Sequence, residues 1–384
     1  MVTNKEQNKL NVPHLRFPEF HGEWEKCKLG DIAILTKGSG ISKDQRSATG
    51  TPCILYGELY TTYKSEVIDY VVSKTDISDK NLVRSCANDI IIPSSGETAI
   101  DISTARCVLS PDVLLGGDLN IIRLKDGDGR FFSYQLNGVR KYDIAKIAQG
   151  VSVVHLYGES IKGLTVSFPS NKEQQKISTL LSLIDERIAT QSKLIEKLES
   201  LIKGISSRIF ASIQGIEYRM GDIVTITNGN SNVQDAVTQS KDGLYPFFDR
   251  SEDIKYLPTF LFDKEAIIYP GEGTEFMPRY FKGKFALHQR CYAIFDFNEI
   301  INARFLYFYL KTRNSYFVKN AVGSTVPSLR LDTFQKLKVI IPPKKIQHSV
   351  SLCLSFMEQK CNIEKKILYK RLKQKQYLLR QMFI

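Results

Sequence analysis

The sequence predicts an α+β protein. Two similar domains, each mainly antiparallel sheet plus helices, are separated by two long helices forming an antiparallel coiled coil. Three observations carry this expectation: an apolar stripe too long for an ordinary globular helix, a second copy of that stripe, and strand-and-turn patterning ahead of each copy.

The first long helix is expected from Ser170 to about Gln214. Ser170 followed by Glu173 reads as a capping box. Beyond it, Ile177, Leu181, Ile184, Ile188, Ile195, Leu198, Ile202, Ile205 and Ile209 recur at spacings of three, four or seven, the period of one helical face. Gly215 is placed to stop the run. At 1.5 Å per residue this helix is roughly 60 Å long, and its stripe needs a partner.

The partner is a second copy of the same unit. Shifted by 173 residues, Ala148–Phe210 lies on Ala321–Phe383 without a gap. Gly150 falls on Gly323, Leu156 on Leu329, Pro169 on Pro342, Gln174 on Gln347 and Leu181 on Leu354. The stripe is repeated as Val350, Leu354, Met357, Cys361 and Leu368. Two amphipathic helices resemble each other by period alone, but the match also runs through the non-helical stretch 148–169, where period cannot create it.

Composition narrows the class. The 384 residues are 42% hydrophobic and 24% charged, with a net charge of +12, enough chain for two or three domains. The sequence has neither an apolar run of membrane-spanning length nor a basic-plus-apolar leader. Seven scattered cysteines without a CxxC pair read as reduced core residues of a cytoplasmic protein, Cys53, Cys107, Cys291 and Cys353 lying in apolar surroundings. The stretch from Pro343 to Ile384 carries ten Lys/Arg against two Glu. A basic helix suits an anionic partner, or is simply a solvated face.

In chain order, residues 1–15 form an N-terminal arm and 16–168 the first domain. Residues 169–214 form the first spacer helix, 215–341 the second domain and 342–384 the second spacer helix. The Pro13 and Pro18 segments read as an extended stretch laying Leu15, Phe17, Phe20 and Trp24 on a surface. Lys28–Thr36 reads as a short helix or turn leading into a strand. Strands follow at Cys53–Leu55, Val67–Val72, Asp89–Pro93, Arg106–Leu109 and Asn120–Leu124, separated by Gly, Pro and Asp turns, and a helix over Phe131–Ile147 closes the domain. The second half replays the order. Tyr218–Ile226 echoes Cys27–Leu35, strands are expected at Ala266–Tyr269, Lys284–Leu287 and Cys291–Phe295, and Ala303–Lys311 echoes the helix that opens the closing segment. The middles, 37–110 and 228–290, do not match in sequence; divergent loops on a shared frame are where specificity resides.

The opening VPHLRFPEFHGEWE with its following KLGDI carries a resemblance. So do the end-of-domain pattern GVSVVHLYGESIKGLTVSFPSNKEQQKI and its second copy GSTVPSLRLDTFQKLKVIIPPKKIQHSV. With the alternation of variable domain and long helix, they make the chain resemble the DNA-specificity subunit of a type I restriction–modification system, over essentially its whole length. One departure is Lys345-Ile346-Gln347, where the first copy has Lys172-Glu173-Gln174. The resemblance implies two target-recognition domains, each reading half of a split double-stranded DNA sequence. It implies helices that act as a ruler and dock two methyltransferase (modification) subunits, which restriction/translocase subunits join. S-adenosylmethionine is then expected in the modification subunits, and ATP and magnesium with the restriction subunit. Because the two variable regions differ, a bipartite, asymmetric target is expected.

No catalytic or cofactor site is marked in this chain. There is no GxxxxGK[ST] loop, no Asn/Asp-Pro-Pro-aromatic motif and no nuclease Glu/Asp-x-Lys after Pro111-Asp112. The five histidines lack metal-ligand spacing. The sequence therefore reads as a non-enzymatic subunit with no metal. Candidate DNA contacts are loop residues able to meet phosphates or base edges. In the first domain these are Lys37, Ser39, Lys43, Arg46, Tyr60, Ser94, Ser95, Glu97, Ser152 and His155. In the second they are Asn228, Asn230, Asn232, Arg250, Glu272, Thr274, Arg279, His288, Gln289, Arg290, Ser324 and Thr325. Each, taken alone, reads equally as a solvated loop residue. The aromatics Tyr56, Tyr60, Tyr63, Phe247 and Phe248 read as core more than as stacking platforms. The alternative function is a stand-alone bipartite DNA-binding or scaffold protein without methyltransferase partners. Leu194, Leu201, Ile363 and Leu379 weigh against it, being more apolar than an isolated coil needs.

Overall fold

A computed structural model describes residues 11–77 and 81–384; the first ten residues of the expected arm lie outside them. The chain divides into two compact units. One contains the residues up to Ser192 together with Ile367–Ile384, and the other is Lys193–Lys366. The boundaries expected at 168/169, 214/215 and 341/342 set the helices apart from the domains. Each unit instead owns half of both long helices, because the apolar stripe is covered by domain side chains as well as by the other helix.

In the first unit, Glu25–Lys28 pairs antiparallel with Thr165–Phe168, and the short helix Leu29–Ile32 leads into Ala33–Lys37. That strand edges a five-stranded sheet. Beside it lie Leu119–Leu124, Asp89–Pro93, Arg106–Val108 and Val67–Ile68, in that order. Only the last pairing is parallel. A smaller sheet holds Lys74–Thr75, Thr51–Ile54 and Leu114–Leu115. In the second unit one six-stranded sheet runs Thr225–Asn228, Cys291–Phe295, Phe262–Pro270, Arg279–Leu287, Tyr245–Phe248, Lys255–Leu257.

The middles that fail to match in sequence do match in backbone pairing. Ile54 lies parallel to Leu115 and Phe248 parallel to Leu287; Pro52 faces Lys74 and Pro246 faces Tyr256. Thr51–Ile54 is thus the counterpart of Tyr245–Phe248. The two middles differ in what is inserted. The first unit places the helix Glu58–Thr61 and the strand Val67–Ile68 between these paired strands. It also breaks into two pieces, Arg106–Val108 and Leu114–Leu115, the strand that Arg279–Leu287 forms continuously. The helix expected over Phe131–Ile147 is likewise two helices, Gly129–Asn137 and Lys141–Ile147, with Gly138 between them.

The long helices run Asn171–Ser212 and Lys344–Gln381. Within the first unit they are antiparallel. Ile177 and Leu181 share a core with Met382 and Phe383, Lys375 bridges to Asp185 at 2.5 Å, and Arg371 donates to the Arg187 carbonyl. Within the second unit, Lys365 meets Glu199, and Val350, Leu354 and Met357 join Phe210 in one core. Ile195 and Cys361 are buried, while Ile184, Ile188, Leu198, Ile202 and Leu368 are half-buried. Ile205 departs from the expected seam: it is exposed, and Ser206 is buried instead. A 3.6-residue helix drifts from a strict heptad, so the stripe turns toward the domain core, where Ile209 and Phe210 pack. Cys353 is exposed rather than apolar-packed.

Each domain is fastened to a long helix by the same device. Gln174 donates to the Pro169 carbonyl and accepts from the Asp128 N–H. Its counterpart Gln347 donates to Pro342 and accepts from Asn302. One turn on, Ser178 donates to Asp128 and Ser351 to Asn302. Among the described residues Glu173 closes no capping box; its carboxylate takes a bidentate bond from Arg16, just after the arm, both distances 2.8 Å. The residue 173 positions later is Ile346, half exposed. No arm precedes the second domain, which follows the first long helix directly, so a glutamate there would have no arginine to meet. Phe383 plugs the first core against Phe131, with ring centroids 5.1 Å apart. Its counterpart Phe210 plugs the second against Phe305, at 5.4 Å.

Truncating the plug tests this account. Phe383→Ala is expected to cost about 3–5 kcal/mol in urea unfolding followed at the first unit. An unchanged midpoint would show that the tail is not part of that core.

Candidate nucleic-acid interface

The candidate interface grows from one end of each sheet. Lys37 pairs with Asn120 and Asn228 with Tyr292, so Lys37-Gly38-Ser39 and Asn228-Gly229-Asn230 are counterparts. Each glycine is required by a close approach. A β-carbon on Gly38 would lie 2.0 Å from the Gly116 carbonyl oxygen, and one on Gly229 2.0 Å from that of Leu287. The crossing brings the chain beside a turn that is Gly116-Gly117-Asp118 in the first unit and His288-Gln289-Arg290 in the second. Leu119 faces Pro93 and Cys291 faces Pro270, which fixes this correspondence.

A third segment closes the end. Gln149 bridges His155 and Val322 bridges Ser328, again 173 residues apart. Gly150 and Gly323 take φ of +119° and +108°, a conformation glycine adopts without strain. Ser152, Ser324 and Thr325 are exposed on these turns. Each turn docks on the loop after the central strand, through His155 to Ser95 and through Ser328 to Glu272.

Two clefts open between these segments, at equivalent places. The first, about 980 Å³, is lined by Lys43, Arg46, Tyr56, Glu97, Gly117 and Asp118 among others. The second, about 490 Å³, is lined by Asp249, Arg250, Glu272, His288, Gln289 and Arg290 with Val233, Ser251, Lys255 and Cys291. Gly117 and Asp118 line the first cleft where Gln289 and Arg290 line the second. The chemistry at the rim also differs. Where the second unit has Glu272 and Arg290, joined at 2.7 Å, the first has Ser95 and Asp118.

The sequence-selected residues divide accordingly. Lys37 and Lys43 are exposed and make no ion pair among the described residues. Arg46 lies 3.6 Å from the buried Glu58 and donates to the Lys43 carbonyl. The Ser39 hydroxyl accepts from the Val83 N–H, and Ser94 is buried with its hydroxyl 3.4 Å from Asp118; both hold loops in shape. Tyr60 is half-buried, and burial pushes its hydroxyl pKa up. Asn228 donates to the Gln289 carbonyl; Asn230, Asn232 and Thr274 are exposed. Arg279 lies apart from this group: its guanidinium is largely buried and spent on the Asp249 and Ser251 carbonyls, bracing the loop beneath Arg250. Tyr63, Phe247 and Phe248 are buried, whereas Tyr56 is exposed at the first cleft. Sequence reading passed over Asp118, Asp249, Ser251 and Lys255. Setting Pro52 on Pro246 places Tyr56 on Arg250 and would have directed attention to this loop.

Electrostatics keep the second cleft nearly balanced. Burial raises Asp249, but Lys255 at 2.6 Å and the N–H and hydroxyl of Ser251 outweigh it and hold the carboxyl below its usual value. His288 is lowered, first by burial, and Arg290 and Arg250 add to the effect. Its Nδ1 accepts from the Arg290 N–H, which leaves Nε2 as the protonated nitrogen of the neutral ring.

A depressed histidine releases its proton more readily when folded, so stability is full above about 6.5, the ordinary value. It is lost as pH falls from there through the folded value. His288→Gln is expected to reduce the drop in melting temperature between pH 7.5 and 5.5. Identical drops would contradict this.

Comparison with known proteins accords with the duplicated architecture. The family model for the type I restriction modification DNA specificity domain matches twice, over residues 21–200 and 216–373. A specificity subunit of the type I restriction enzyme MjaIX from Methanocaldococcus jannaschii is 24% identical, over 90% of this chain and 89% of the relative. The EcoDI specificity subunit from Escherichia coli is 30% identical over 123 residues, 32% of this chain and 26% of that protein. The chain thus spans about a quarter of the second relative's length and nine tenths of the first's. The crystal structure of the type I restriction–modification S subunit from M. genitalium superposes with a TM-score of 0.70 at 20% identity, covering 97% of this chain and 99% of that one. Both halves of the chain carry the matched domain, and the chain belongs to the family of type I restriction–modification DNA specificity subunits.

Proposed function

We propose that each unit reads one half of a two-part, asymmetric double-stranded DNA target, the long helices setting the unread spacer between the halves. The observation carrying this reading is the pair of equivalent clefts with different rims. One frame fixes where a duplex is met, and different side chains at the same place read different bases.

The chain itself is non-catalytic in this reading and acts in the cytoplasm. Two modification subunits, holding S-adenosylmethionine, dock on the helices, and restriction/translocase subunits using ATP and magnesium join them. Exposed apolar side chains support the docking. Leu183 and its counterpart Phe356 are both more than half exposed, and Leu201, Ile363, Tyr369 and Tyr377 add to these faces. A stand-alone DNA-binding scaffold has no use for such groups, which favour covered interfaces.

Two experiments test the proposal. Exchanging residues 16–168 for those of another family member is expected to change one half-site and leave the other intact. A change in both would refute modular reading. Inserting four residues after Ser192 and four after Lys366 adds about one turn, roughly 6 Å, to both helices. The spacer is expected to grow by one or two base pairs, and an unchanged spacer would rule out the ruler.

A further inference from the structure

We infer that Arg290 reads a guanine in the half-site of the second unit, with Glu272 as the residue that positions it; this rests on the DNA-reading function proposed above. Arg290 stands on the tight turn between the strands Arg279–Leu287 and Cys291–Phe295, and its side chain is 62% exposed at the cleft. One guanidinium nitrogen, Nη1, is held by Glu272 at 2.7 Å, and that carboxylate is mostly buried, its side chain 19% exposed. The other N–H groups make no hydrogen bond among the described residues. The Glu272 main chain is held by the backbone bridge to Ser328, and the turn by the bond from the Arg290 N–H to His288. The arrangement leaves a planar fork of donors whose direction is set before DNA arrives.

A fork of this kind matches the O6 and N7 acceptors of guanine in the major groove. The charge balance separates this assignment from a phosphate contact. A carboxylate beside the arginine opposes a phosphate and is tolerated by a neutral base edge. Within the same cleft Lys255 is paired with Asp249, so Arg250 is the cation there without an ion pair among the described residues. It supplies the phosphate contact. The first unit has Ser95 and Asp118 at the counterpart positions, so the two half-sites differ here.

The test uses the full chain assembled with its cognate modification subunits, methylating a plasmid library randomised across the target and read by sequencing. With Arg290→Ala, one position of the second half-site, a G·C pair in the wild-type motif, is expected to lose roughly 5- to 150-fold of its preference. The first half-site serves as the internal control for folding and assembly. Arg290→Lys is expected to relax the same position, since it keeps the charge and loses the fork. Glu272→Gln is expected to relax it in part, and Arg250→Ala to weaken all sites uniformly. An unchanged motif with Arg290→Ala, wild-type preference retained by Arg290→Lys, uniform weakening alone, or relaxation at an A·T pair would overturn the assignment. A wild-type complex that methylates no bipartite motif would instead overturn the DNA-reading function, and the assignment with it.

Discussion

The structure depends on covering two long apolar stripes that no single partner covers. Each helix satisfies half of its length in one unit and half in the other, and the domains are fitted to the helices by a repeated glutamine. Gln174 and Gln347 each sit where a helix begins and tie together a proline carbonyl and a domain N–H. Leaving such buried groups unpaired costs about 1–3 kcal/mol each, so the fit of domain to helix is narrow. The phenylalanines at the far ends of the helices complete the same cores. Sheet, helix start and helix end thus fold as one body in each unit.

That constraint explains the distribution of sequence change. Residues contacting a helix must keep their partners: Asp128 and Asn302 meet Gln174 and Gln347, and Phe131 and Phe305 meet Phe383 and Phe210. The end of each sheet away from these contacts carries no such obligation beyond backbone geometry, and there Gly116-Gly117-Asp118 is exchanged for His288-Gln289-Arg290 with the strand register intact. Two domains of one frame thereby present a wider cleft with Asp118 at its rim and a narrower cleft with a braced arginine.

Much of this was legible in the sequence. The stripe, its copy and the glycine turn at 150 and 323 follow from period and repeat, because helix packing and positive φ leave direct marks on residue type. The correspondence of the domain middles was hidden, because strand pairing tolerates Cys53 in one domain and Phe247 in the other so long as both are buried. The role of Glu173 was hidden for another reason. Its spacing from Ser170 suits a capping box, but Arg16, distant in sequence, competes for the carboxylate with two charge-assisted bonds. Arg279 was selected as a DNA contact because arginine in a loop-rich stretch suits phosphates. Only the folded strand shows three carbonyls of the loop 249–252 converging on it.

The central claim is that two unlike readers on one frame specify a two-part target. Methylation mapping of genomic DNA, from cells with and without this gene beside an expressed modification subunit, tests it most directly. The account predicts a gene-dependent motif of two different half-sites separated by a fixed unread spacer. A palindromic or undivided motif would contradict it.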